Sequence, residues 1–208
     1  MNIATQINEV LRRVGFDDTT NVVTLTQAFA TTAEDLWDAC TTPERLARWF
    51  EPVEGSLRLG GRYRMADSGT VGTIETCDPP HALTITWEHG GDTSRVSATI
   101  EETEPGTATL TVSHYGDNDE HWQEYGPAAG GGGWDAAFLG LRMLIDEPGS
   151  TLDEVMRAMN SEEGRRFVSD VAEQWSLAYQ RAGAPAEEAA AAAGRAVALE
   201  RELWTPEG

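Results

Sequence analysis

Apolar positions recur along this chain with two periods, and the switches between them outline the fold. Ile3, Ile7, Val10, Leu11 and Val14 are spaced for one face of a helix, so residues 1–20 are predicted to form an amphipathic helical arm ending at Gly15. An arm this short needs something to pack on. From Val22 to Ala30 the period is two, with Val23, Leu25 and Phe29 alternating against Thr24, Thr26 and Ala28, as in a half-buried strand. Two short helices are predicted next. Thr32 is a suitable N-cap for the first, which has Glu34 and Asp35 in its first turn and carries Leu36, Trp37 and Cys40. The second opens at Thr42 with Pro43 in its first position and carries Leu46, Trp49 and Phe50.

Period two then returns. Ser56 to Leu59 and Arg62 to Met65 flank Gly60-Gly61, a hairpin signal. Further strands are predicted from Thr70 to Cys77, Leu83 to Glu88, Arg95 to Glu102 and Thr107 to Tyr115, each separated from the next by Gly, Pro or Asp turn residues. Consecutive short strands joined this way form an antiparallel meander. Parity assigns Leu83, Ile85 and Trp87, then Val96, Ala98 and Ile100, then Leu110, Val112 and His114, to one covered face. Threonines and serines fill the other.

A polar, glycine-rich loop is expected from Gly116 to Gly133, with Gly130 to Gly133 as a flexible lid or hinge. The following helix, 134–146, is apolar nearly all round and must be buried on more than one side. Beyond Pro148 the chain is helical again. Leu152, Val155, Met156 and Met159 make one stripe, and Phe167, Val168, Val171, Trp175 and Tyr179 another. A last alanine-rich helix starts at Pro185 and reaches Leu203-Trp204. The expected organisation is an arm (1–20), an α+β domain (21–149) and a C-terminal helical extension (150–208). The extension covers the outer side of the 134–146 helix or pairs with a second subunit, which would make a homodimer.

Composition narrows the function. Net charge is −20 over 208 residues, a field that repels phosphate backbones and anionic lipids, so neither nucleic acid nor membrane is an expected partner. All fifteen basic residues are arginine; without lysine there is no Schiff-base chemistry and no Walker-type phosphate loop. The two cysteines, Cys40 and Cys77, have no CxxC or zinc-type spacing, and the Asp117–His121 segment lacks the pattern of a calcium loop. No metal and no cofactor are expected. The N-terminus has no basic-then-apolar signal pattern and no apolar run spans a membrane, so a cytoplasmic location is expected.

Several stretches carry a family resemblance. They are Val22-Val23-Thr24-Leu25-Thr26 leading to Glu34-Asp35-Leu36-Trp37-Asp38-Ala39; Thr42-Pro43-Glu44-Arg45-Leu46-Ala47-Arg48-Trp49-Phe50; and Leu57-Arg58-Leu59-Gly60-Gly61-Arg62-Tyr63. Gly72-Thr73-Ile74-Glu75, Pro79 to Trp87, and Gly126-Pro127 through Trp134-Asp135 to Leu141 extend it. Together they resemble, over about residues 21–147, the bacterial branch of the SRPBCC (START-like) superfamily termed activator of heat-shock protein 90 ATPase homologue-like. The resemblance implies a helix-grip fold, an antiparallel sheet wrapped around one long helix with a cavity between them. It leaves activity open, since the superfamily includes lipid carriers, hormone receptors and polyketide cyclases.

The candidate ligand-binding residues are Trp37, Trp49, Phe50, Tyr63, Ile85, Trp87, Leu110, Val112, His114, Trp134 and Phe138, which would wall a pocket for a small hydrophobic or aromatic molecule. Three groups are candidates for acid–base catalysis: His114, Asp135 and Tyr63. His114 reads more readily as a satisfied core residue, and Asp135 as an acid suited to the first turn of its helix. Binding of a small apolar ligand is the leading expectation. A cyclase- or hydrolase-like enzyme in the same cavity, or a co-chaperone-like or regulatory interaction protein, are the alternatives.

Overall fold

The alternating stretches assemble into one antiparallel sheet that curls around a single helix. The computed structural model describes residues 3–203. Its strands are β1 (Leu11–Phe16), β2 (Thr20–Phe29), β3 (Val53–Gly55), β4 (Arg62–Met65), β5 (Val71–Asp78), β6 (Ala82–His89), β7 (Asp92–Glu104) and β8 (Thr107–Asp117). They lie in the order β1-β2-β8-β7-β6-β5-β4-β3, a meander from β3 to β8 closed by β2 docking against β8. The helices are α1 (Ile3–Glu9), α2 (Ala33–Thr41), α3 (Pro43–Leu46), α4 (Glu120–Tyr125), α5 (Pro127–Asp146), α6 (Leu152–Met159), α7 (Glu162–Arg181) and α8 (Ala186–Leu203). This is the α+β helix-grip architecture, with α5 as the gripped helix.

Register explains the two faces. Leu25 stands opposite Val112 and Val23 opposite His114, placing their side chains inward, where Leu25, Leu110 and Val112 are buried. On the other face Thr24 pairs with Ser113 at 2.9 Å and Thr26 with Thr111 at 3.0 Å through their hydroxyls. The helix starts follow the sequence signals. Thr32 caps α2 by accepting from the Asp35 N–H at 3.2 Å, and Pro43 opens α3.

Three predicted elements are different in the structure. The 1–20 arm is helical only as far as Glu9; Leu11–Phe16 is an edge strand paired with β2, and Gly15 lies within it. One of its inward residues is Arg12, buried, while Leu11 points outward, so its pattern does not read as a strand. The hairpin before Tyr63 uses Val53–Gly55 as its first strand, and Ser56 to Gly61 form the turn. Leu57 and Leu59 are consequently 43% and 72% exposed.

The third difference is the segment from Gly116 to Gly133. Asp119 caps α4 by accepting from the Trp122 N–H at 2.8 Å, Trp122 is buried, and Pro127 opens α5. Gly130 to Gly133 are therefore helix interior and not a lid. Interior glycine costs about 1 kcal/mol relative to alanine, so packing must override propensity here. Gly131 supplies the reason: a Cβ at this position would come within 2.3 Å of the Trp175 indole.

The C-terminal helices pack on the outer side of α5 within the same chain. α7 runs against α5, β1 and α1, and α8 against α7, α5 and α4. Phe167, Val171 and Trp175 are buried there, as the stripe predicts. The predicted helix end at Trp204 lies outside the described residues.

Candidate functional site

A cavity of about 280 Å³ lies between the inner face of the sheet and α5. The meander contributes Tyr63, Ile85, Trp87, Leu110 and Val112; α5 contributes Trp134, Ala137 and Phe138; the turn after α3 contributes Trp49 and Phe50. Glu54, Ser56 and Leu57, all exposed, mark its solvent end at β3 and the turn that follows. Nine of the eleven predicted binding residues line it; Trp37 and His114 do not.

Each exception has a local cause. Only the last turn of α2 reaches the cavity, through Cys40 and Thr41, and Trp37 sits one turn earlier. His114 lies behind Trp87 and Trp134, whose rings are 5.8 and 6.0 Å from its own and do face the cavity. Trp134 Nε1 donates to His114 Nδ1 at 3.1 Å. That bond makes Nδ1 an acceptor, so the proton of the neutral ring is on Nε2, 2.8 Å from Ser94 Oγ. Ser94 in turn donates to the Trp87 carbonyl at 3.3 Å. The chain of bonds ends on the backbone. Burial pushes the imidazole down to about 4, so it is uncharged at neutral pH.

The other two acid–base candidates are also committed elsewhere. Tyr63 donates its hydroxyl to the Thr86 carbonyl at 2.7 Å, and burial raises its pKa above the usual phenol range. Asp135 does not face the cavity. Its carboxylate is fully buried on the opposite side of α5, where it accepts from Arg12 at 2.5–3.2 Å and from Trp175 Nε1 at 2.8 Å. Arg12 uses its remaining donor on the carbonyls of Ile7 and Val10, at 3.1 and 3.0 Å. Burial pushes the Asp135 carboxyl up, and the guanidinium and indole oppose that. Asp135 thus ties α5 to β1 and α7 and is a structural residue.

Two further polar groups around the cavity are satisfied internally. Trp49 Nε1 donates to the Ala39 carbonyl at 3.0 Å and Thr41 Oγ1 to the Trp37 carbonyl at 2.7 Å. The Cys40 thiol is pushed up to about 12 by burial and is not a ready nucleophile. Sequence parity could have supplied further wall residues, since Leu83, Val96 and Ala98 share faces with residues it did select. Glu54 and Ser56 gave no signal, because their placement depends on where the hairpin turns. Among the described residues no group of three or more His, Cys, Asp or Glu is placed to hold a metal ion. No helix among them is long and apolar enough to cross a membrane.

No curated protein matches the chain. Solved structures do. CalU16 from Micromonospora echinospora is 26% identical; its crystal structure aligns over 82% of this chain and 98% of its own, with a TM-score of 0.64. Its solution structure aligns over 84% and 97%, with a TM-score of 0.69. EF2215 from Enterococcus faecalis, at 14% identity, shares the fold over 85% of this chain and 96% of its own, with a TM-score of 0.64. These alignments run well past the gripped helix and its sheet. The family model described as Activator of Hsp90 ATPase homolog 1-like protein matches residues 30–146, more than half of the chain, which therefore belongs to that family.

Proposed function

We propose that the protein binds a small, uncharged, predominantly aromatic molecule in the cavity between the sheet and α5. One observation carries this reading. The cavity wall is aromatic and aliphatic, the polar groups on Thr41, Trp49, Tyr63 and Trp134 are each bonded to another protein group, and Glu54 and Ser56 lie at its solvent end, which leaves the neutral Trp87 indole N–H as the donor open to a ligand. A ligand there gains chiefly from leaving water and from ring contacts. A charged ligand would enter without a partner and lose its hydration. The acid–base alternative finds no free group, since His114 is a neutral, doubly bonded ring and Asp135 is on the far side of the helix. Binding and release, as in carriage or sequestration, fit this wall better than turnover.

The test uses N-phenyl-1-naphthylamine, an uncharged dye that brightens in apolar surroundings. It should bind the wild-type protein saturably. Ala98→Phe, which places a ring in the cavity from β7, should abolish the signal while the circular dichroism spectrum is kept. Undiminished dye binding in that variant would remove the cavity from the account.

A further inference from the structure

A second cavity of about 240 Å³ lies on the outer side of α5, under the C-terminal helices. Met156 and Met159 of α6, Phe167 and Val171 of α7, and Val197 of α8 are among the residues that wall it. Among the described residues, Glu200 is its only polar side chain. This carboxyl has no hydrogen-bonding or ionic partner among the described residues, and burial raises its pKa. A carboxylate in apolar surroundings is disfavoured until a cation joins it.

The floor of this cavity is the second observation. Gly132 and Gly133 lie in the interior of α5, where glycine weakens the helix. Gly131, beside them, is required by the Trp175 indole, but a Cβ added at Gly132 or Gly133 would meet nothing within 4 Å. No neighbour demands these two glycines. Both line the cavity together with Glu200, and their lack of side chains leaves it open there.

We propose that this second cavity is a binding site for a small organic ammonium ion with an apolar body, its charge held by Glu200. The body would lie on the glycine floor among the methionines and Phe167. Thioether sulfur is polarisable and an aromatic face attracts cations, so the wall itself tolerates positive charge. A net charge of −20 raises the local concentration of cations and lowers that of anions. The two cavities then divide by charge: uncharged ligands inside the sheet, apolar cations under the helices.

The probes are 3-phenylpropylammonium and its uncharged counterpart 3-phenylpropan-1-ol, titrated calorimetrically at neutral pH into the full chain. The ammonium should bind at least about tenfold more tightly than the alcohol, as a charge-assisted contact implies. Glu200→Gln should erase that difference. Gly133→Leu, which fills the floor, should abolish ammonium binding and leave N-phenyl-1-naphthylamine binding intact, separating this site from the cavity in the sheet. Equal binding of the two probes, undiminished ammonium binding in Glu200→Gln, or no binding of either probe would each overturn the proposal.

Discussion

Two consecutive residues of α5 enter opposite worlds. Trp134 turns toward the sheet, lines the larger cavity, and gives its indole N–H to a histidine that burial keeps neutral. Asp135 turns toward the C-terminal helices, where a full ion pair with Arg12 is buried and the Trp175 indole completes its hydrogen bonds. The inner face is thus uncharged apart from Glu54 at the cavity's solvent end, with space left over. The outer face is tight along Gly131 and Asp135 and opens again only over Gly132 and Gly133. The contrast runs along one helix: a buried ion pair locks elements together on the outer side, and the inner side faces a cavity with an apolar wall.

The lock should give the largest effect. Asp135→Asn leaves Arg12 as an uncompensated buried charge and should cost about 3–5 kcal/mol in urea unfolding. The double change Arg12→Met with Asp135→Leu removes both charges and should recover most of that loss. If the single and double variants are equally unstable, charge is not what makes the outer face distinctive.

The neutral histidine should give the next. An unfolded histidine titrates near 6.5, while burial lowers the folded His114 to about 4. Between those values the unfolded chain holds more protons. Stability from this group is fully present above about pH 6.5, falls as pH drops, and is lost by about pH 4, a total of roughly 3 kcal/mol. His114→Gln should flatten the acid limb by that amount relative to wild type. Parallel loss of stability in the two proteins across this window would mean that the inner face accommodates the charged ring after all.

The glycines should give the smallest effects, of opposite sign. Gly131→Ala pushes a methyl into the Trp175 indole and should destabilise by about 1–3 kcal/mol. Gly133→Ala meets open space and should stabilise by up to about 1 kcal/mol. Thermal midpoints of the two variants should move in opposite directions from wild type. Equal shifts would show that the tight and open stretches of the outer face are not distinct.

Much of this was legible in the chain. The strand parities of Leu83–Trp87 and Leu110–Val112, the capped short helices, the family motifs and the apolar 134–146 segment specified the helix-grip fold and most of the cavity wall. What escaped has a common physical origin. The edge strand β1 carries Arg12 and Val14 inward and Leu11 outward, and it is Arg12, facing Asp135, that breaks the apolar alternation. The glycine run reads as a loop by propensity and is helical because Trp175, about forty residues away in sequence, fits against Gly131. Asp135 and His114 stood out only as acid–base candidates, and their roles depend on partners at Arg12, Trp175 and Ser94 that no local pattern links to them. Long-range polar partners are the part of a site that periodicity cannot report.

The central claim, that the cavity inside the sheet takes up an uncharged aromatic ligand, is tested most directly by the tryptophan indole N–H signals in a proton–nitrogen correlation spectrum. Trp49, Trp87 and Trp134 line that cavity, whereas Trp122 and Trp175 are buried away from it. Titration with N-phenyl-1-naphthylamine should move the first three signals together, with one saturating curve, and leave Trp122 and Trp175 in place. Shifts confined to Trp122 and Trp175, or no indole shift at a dye concentration that saturates fluorescence, would contradict the account.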